Sequence, residues 1–112
     1  MPPRPRAVPS FLRPAAADPA PLCGRVVLVT GGAQGIGRGI AQAVLAAGGR
    51  VLIGDVDGEA GRACLEEWQA GDAAAFQRLD ASREASVQRF VAGALRRFGR
   101  IDGLVNNTGI AD

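Results

Sequence analysis

Five glycines, Gly31, Gly32, Gly35, Gly37 and Gly39, fall within nine residues directly after the β-branched and aliphatic run Val26 to Thr30. A short apolar run that ends at glycines is the pattern of a strand buried on both faces. A helix is expected beyond it, because Ile36, Ile40, Val44 and Ala47 recur at helical spacing before Gly48 and Gly49 supply a stop. Strand, glycine turn and helix in that order restrict the fold more tightly than any other feature of the chain.

The alternation continues. Arg50 to Asp55 reads as a second strand, and the segment after Gly58 as a second helix with Ala60, Cys64 and Trp68 along one packing face. Ala74 to Leu79 reads as a third strand. Ser82 is placed to cap a third helix whose apolar stripe is Val87, Val91, Ala94 and Phe98, and Ile101 to Asn106 reads as a fourth strand. Strands joined one helix at a time must run parallel with right-handed crossovers. The expected architecture is therefore a Rossmann-type three-layer α/β fold with a parallel sheet, of which these are the first four strands.

In such a unit the first backbone N–H groups of the helix are unpaired and carry the positive end of its dipole, so they attract phosphate. Glycine at positions 35 and 37 lets a ligand approach the backbone and keeps a Cβ out of the turn. The spacing G-x-x-x-G-x-G at Gly31, Gly35 and Gly37 is not the G-x-G-x-x-G fingerprint. A nucleoside-triphosphate loop is the nearest rival, since Gly32 to Gly39 contains G-x-x-x-x-G followed by a basic residue. It fails because Arg38 stands where lysine would reach the phosphates and Gly39 where a hydroxyl would hold magnesium. Asp55 ends the second strand 18 residues beyond Gly37, close to the ~20-residue offset at which an acid meets the adenosine ribose in dinucleotide folds. Asp57 and Glu59 read as turn or helix-start acids.

Composition narrows the classes. Apolar residues at 47% and charged residues at 21% are ordinary globular usage, which excludes a fibrous or wholly disordered chain. Residues 1–22 contain all seven prolines, and their three arginines and one aspartate account for the whole net charge of +2. They read as a disordered Pro/Ala/Arg-rich extension, dispensable for folding, ahead of a domain over 23–112. The remainder is electrically neutral, so no nucleic-acid partner is expected, and no apolar run has the length of a membrane span. Cys23 and Cys64 read as a boundary residue and a helix-packing residue, with a disulfide between them left open. With no CxxC pair and no histidine, no metal site is expected, and the setting reads as cytoplasmic.

The segment Thr30-Gly31-Gly32-Ala33-Gln34-Gly35-Ile36-Gly37 resembles the T-G-x-x-x-G-x-G cofactor motif of the short-chain dehydrogenase/reductase family. Asp80 and Ala81 resemble that family's adenine-contacting pair after the third strand. Asn106-Asn107-Thr108-Gly109 resembles its N-N-A-G motif, with Thr108 in place of alanine. The likeness covers residues 25–112. It implies a nicotinamide cofactor, NAD, held by Gly31, Gln34, Gly35, Ile36, Gly37, Asp55, Asp80, Ala81 and Asn106. In the family the second asparagine ties the central sheet together, the substrates are small alcohols or carbonyl compounds, and the proteins are usually homo-oligomers. The family's serine and Y-x-x-x-K pair have no counterpart here, and the chain contains no tyrosine, lysine or histidine, so no catalytic residue is assigned. The expected function is the NAD-binding portion of an alcohol/carbonyl oxidoreductase. Its second half would be absent by truncation, a reading the unblunted edge of the fourth strand favours over a free-standing NAD-binding module or a remnant. Substrate chemistry would require the missing half.

Overall fold

A computed structural model describes residues 20–107. Its elements follow the expected order: strand β1 (Val26–Thr30), helix α1 (Gly35–Ala46), β2 (Arg50–Asp55), α2 (Gly58–Trp68), a 3₁₀ turn at Gly71–Ala73, β3 (Ala74–Arg78), α3 (Glu84–Phe98) and β4 (Gly103–Asn106). The four strands form one parallel sheet in the order β3-β2-β1-β4. This is the Rossmann-type arrangement that the alternation requires.

Strand residues alternate between two cores because successive side chains point to opposite faces. Val29, Val51 and Ile53 join Ala41, Val44 and Cys64 on the face covered by α1 and α2. Val26, Leu28 and Leu52 join Leu79, Phe90 and Ala94 beneath α3. Both faces of β1 and β2 are therefore dry, which explains why their sequences are continuously apolar rather than alternating. Phe90 is the largest fully buried side chain. Its burial contributes about 2–3 kcal/mol.

Several boundaries differ from expectation, each for a physical reason. The buried line of α3 is Ser86, Phe90 and Ala94, while Val87 is exposed. The stripe is rotated toward Phe90, with Val91 and Phe98 at its margin. Ser82 does not cap α3. Arg83 occupies the N-cap without a side-chain bond, and Ser82 instead donates its hydroxyl and amide to the Asp80 carboxylate. Ile36 is 68% exposed and so does not share the packing face of Ala41 and Val44. Trp68 packs against the α1–α2 core, as its spacing suggested. Both cysteines are free thiols, Cys23 exposed and Cys64 buried.

Residues 1–19 of the expected extension, and Thr108 and Gly109 of the last motif, lie outside the described residues. Leu22, read as the end of the extension, donates its amide to Ala47 O at 2.9 Å and packs against the core.

β4 begins two residues later than expected because Asp102 is diverted into a knot at the base of the sheet. Its carboxylate accepts from the Arg100 guanidinium at 2.7 and 2.9 Å, from Val26 N at 2.7 Å and from Arg25 at 3.4 Å. Its own amide donates to Val26 O at 2.8 Å. The bonds from Arg100 first, then Val26, lower the Asp102 pKa to about 2. Unfolded, the group titrates near ~3.9. A depressed folded pKa gives stability that is complete above the unfolded value and lost as pH falls toward the folded one. Asp102→Asn is therefore expected to lower the denaturation midpoint at neutral pH, with the gap to the parent chain closing between about pH 4 and pH 2. A gap that is constant across a pH series would contradict this role.

Candidate functional site

The β1–α1 turn is shaped by two glycines with positive φ. Gly31 and Gly35 adopt φ of +64° and +56°, a region that costs glycine nothing. Gly32 N donates to Gly54 O at 3.1 Å, tying the turn to β2. A Cβ on Gly35 would meet nothing within 4 Å, so space is open above it. Gly37 is different. A Cβ there would overlap the Gly31 carbonyl and lie 2.7 Å from Asn107 Nδ2. Gly35 thus serves conformation and access, and Gly37 serves internal closure of the turn.

Among the described residues, the amides of Gly35, Ile36 and Gly37 have no acceptor; the next, Arg38 N, bonds Gln34 O. Gln34 is the N-cap but makes no capping bond, and the first turn carries no acid. The other two helices have an acid in the first turn, and Asp57 also caps α2 through Ala60 N. Among the described helices only α1 presents a bare positive end, the arrangement that suits an anionic group. Ile36 stands exposed beside it.

Asp55 sits at the end of β2, facing this turn. One carboxylate oxygen accepts from Ala33 N at 3.2 Å and the other from Asp57 N at 3.1 Å. Each oxygen retains a lone pair for a further donor. Ala33 is also held from below, since Cys64 Sγ donates to its carbonyl at 3.4 Å. Burial pushes the Cys64 thiol pKa up, against the opposing influence of Arg38, so the group remains a protonated donor. Two further links join the α1 turn to α2. Gln34 Nε2 donates to Asp57 Oδ2 at 3.2 Å, and Arg38 pairs with Glu67.

Asp80 and exposed Ala81 follow β3, and Leu79 N binds Asp55 O at 3.0 Å, placing them beside the end of β2. Ser82 holds the Asp80 carboxyl below its usual range, so it is anionic near neutrality. Asp80 N donates to the buried Ser86 Oγ at 2.9 Å. On the other side of β1, the Thr30 hydroxyl donates to Asn106 Oδ1 at 3.0 Å and accepts from Asn107 N at 2.9 Å. Asn107 Nδ2 reaches Gly31 O at 3.3 Å.

All the residues assigned from sequence therefore gather at the carboxyl ends of the strands, around the switch point between β1 and β4 where open α/β sheets bind ligands. Sequence reasoning did not assign Thr30, Ala33 or Asn107 to the site. Thr30 and Asn107 lie within the recognised motifs, but their partners are set by the β1–β4 register, which pairs Thr30 with Asn106. Gln34, which the family resemblance places at the cofactor, turns its side-chain amide toward Asp57.

The family model described as short chain dehydrogenase matches residues 25–112. L-fucose dehydrogenase of Oryctolagus cuniculus is 44% identical over 93 residues, covering 83% of this chain and 32% of the relative. Sorbitol dehydrogenase of Cereibacter sphaeroides is 46% identical over 91 residues, covering 81% and 35%. A glucose/ribitol dehydrogenase of the short-chain dehydrogenase/reductase class from Brucella melitensis superposes with a TM-score of 0.73 at 33% identity, over 76% of this chain and 36% of that one. The C-domain of a bacterial malonyl-CoA reductase, solved with NADP, superposes at 0.74 with 30% identity, over 82% and 16%. The chain thus spans about a third of the length of the curated relatives it matches. No helix among the described residues is long and apolar enough to cross a membrane.

Proposed function

Because the chain belongs to the short-chain dehydrogenase family, whose members use NAD(P), we propose that it is the NAD-binding portion of an oxidoreductase acting on alcohol or carbonyl groups. The observation that carries this reading is the uncapped, acid-free start of α1 set beside the Asp55 carboxylate. The amides of Gly35, Ile36 and Gly37 would bind the pyrophosphate, with Gly31 and Gly35 setting the turn. Gln34 would act by anchoring the turn through Asp57. Asp55 would accept from the adenosine ribose hydroxyls. Asp80, Ala81 and Asn106 would flank the adenosine end, and exposed Ile36 would give the cofactor an apolar contact. The bound cofactor supplies the hydride acceptor or donor. The two free thiols accord with a cytoplasmic setting.

A second reading, a catalytically inert NAD-binding or regulatory module, is favoured by the absence of tyrosine, lysine and histidine from the sequence.

Cofactor choice tests the first reading. Asp55 suits a vicinal diol and repels a 2′-phosphate, and exposed Val56, not arginine, follows it. Calorimetry on the full chain is expected to show NAD bound about tenfold more tightly than NADP, a difference of about 1.4 kcal/mol. Asp55→Ala should narrow the gap. Equal or tighter binding of NADP by the parent chain would refute NAD preference.

A further inference from the structure

We propose that Asp57 is a second determinant of cofactor selection, a fixed negative charge beside Asp55 that opposes a phosphate on the ribose 2′ position; the inference rests on the reading that the chain binds a nicotinamide dinucleotide. The carboxylate is held at both oxygens. Oδ1 accepts from Ala60 N at 3.0 Å, capping α2, and Oδ2 accepts from Gln34 Nε2 at 3.2 Å, reaching across to the start of α1. The Asp57 amide donates to Asp55 Oδ1 at 3.1 Å. The two carboxylates therefore belong to one short turn, and the bond from Gln34 holds the second in place within it.

Asp57 and Glu59 are both exposed, and what separates Asp57 is that hydrogen bonds fix its carboxylate. Glu59 is exposed in the first turn of α2, and no hydrogen bond or ion pair among the described residues holds it. Arg62 lies over Gly58 but forms no ion pair with Asp57. A charge fixed within about 8 Å of a second charge is only partly screened at physiological salt. Asp55 thus does not carry selection alone, since neutralising it leaves Asp57 in place.

Asp57→Asn isolates the charge, because asparagine is an equal N-cap through its one oxygen, and its amide nitrogen can donate to Gln34 Oε1 once the Gln34 side-chain amide turns over. Calorimetry of the full chain with NAD and with NADP is expected to show NADP affinity raised about three- to tenfold at low salt, with NAD changed less than about twofold. The gain should fade at high salt, and the thermal midpoint should hold. Glu59→Gln is expected to move NADP affinity less than about twofold. Asp55→Asn alone should still prefer NAD, and the double variant with Asp57→Asn should bring the two cofactors level. Unchanged NADP affinity in Asp57→Asn, an equal response from Glu59→Gln, or equal cofactor affinities in Asp55→Asn alone would overturn the inference while leaving cofactor binding intact. A parent chain that binds NADP as tightly as NAD, as recruitment of Arg62 by the phosphate would produce, also overturns it. Binding of neither cofactor defeats the reading beneath it.

Discussion

Gly37→Ala is expected to destabilise the fold by about 3 kcal/mol or more, whereas Gly39→Ala, two residues along the same helix, should be neutral or stabilise it by up to about 1 kcal/mol. The two glycines lie two residues apart in α1, yet their surroundings are opposite. A methyl group on Gly37 runs into the Gly31 carbonyl and the Asn107 amide. The carbonyl is backbone inside a turn already fixed by Gly32 N on Gly54 O, so it cannot swing aside as a long side chain would. Moving Asn107 would release its bond to Gly31 O and disturb the Thr30 hydroxyl that joins β1 to β4. Gly39 is exposed, with nothing within 4 Å of its would-be Cβ, so alanine there only restricts the unfolded chain and improves helix propensity. Urea denaturation of the two variants beside the parent chain provides the measurement. Equal midpoints for Gly37→Ala and Gly39→Ala would show that the turn relaxes, and that Gly37 is kept for ligand access alone.

That contrast separates what the local sequence dictates from what the fold decides. The strand-turn-helix alternation and the parallel direction of the sheet were legible because apolar periodicity and single-helix crossovers leave few alternatives. Asp55 was legible as well, since its place at a strand end follows from spacing along one chain. Contacts between distant segments were not. Gly37 reads as a glycine that admits a ligand and keeps the turn clear, but that Asn107 is its neighbour emerges only when β4 is placed beside β1. Ile36 falls on a helical apolar repeat, but it is the second residue of α1 and stands exposed, while Ala41 and Val44 form the buried line. Val87 and Phe90 are both apolar on α3, and only the space beneath the helix, filled by the larger ring, decides which is buried. Ser82 has a capping residue's chemistry, but Asp80 two positions earlier competes for it as a local turn acceptor. Asp102 has no periodic signature at all, because its partners Arg25 and Val26 lie more than seventy residues away.

The purified 112-residue chain is expected to show no dehydrogenase or reductase turnover, even when NAD is bound. Moving a hydride to or from a carbonyl carbon requires a matched proton transfer at its oxygen, and a positioned acid or base contributes about 10²–10⁴ to the rate. The sequence offers no tyrosine, lysine or histidine, which leaves carboxylates, cysteines and arginines. Asp55 is committed to Ala33 and Asp57, and Asp80 to Ser82, both on the adenosine side of the proposed site. Cys64 is buried at 3% exposure with its thiol turned to Ala33 O, and burial raises its pKa away from neutrality. Cys23 precedes β1, at the end of the sheet opposite the glycine turn. Arginine stays protonated and cannot take up a proton. NADH formation measured against a panel of alcohols, sugars and steroids should therefore remain at background, at least about a hundredfold below a full-length relative under the same conditions. Turnover that co-purifies with the chain and is lost in Gly37→Ala would refute this, and would require an acid/base among the groups just named. Activity that arises only when the chain is mixed with a full-length relative would instead favour the binding-module reading, because the proton-transferring group would then come from the partner.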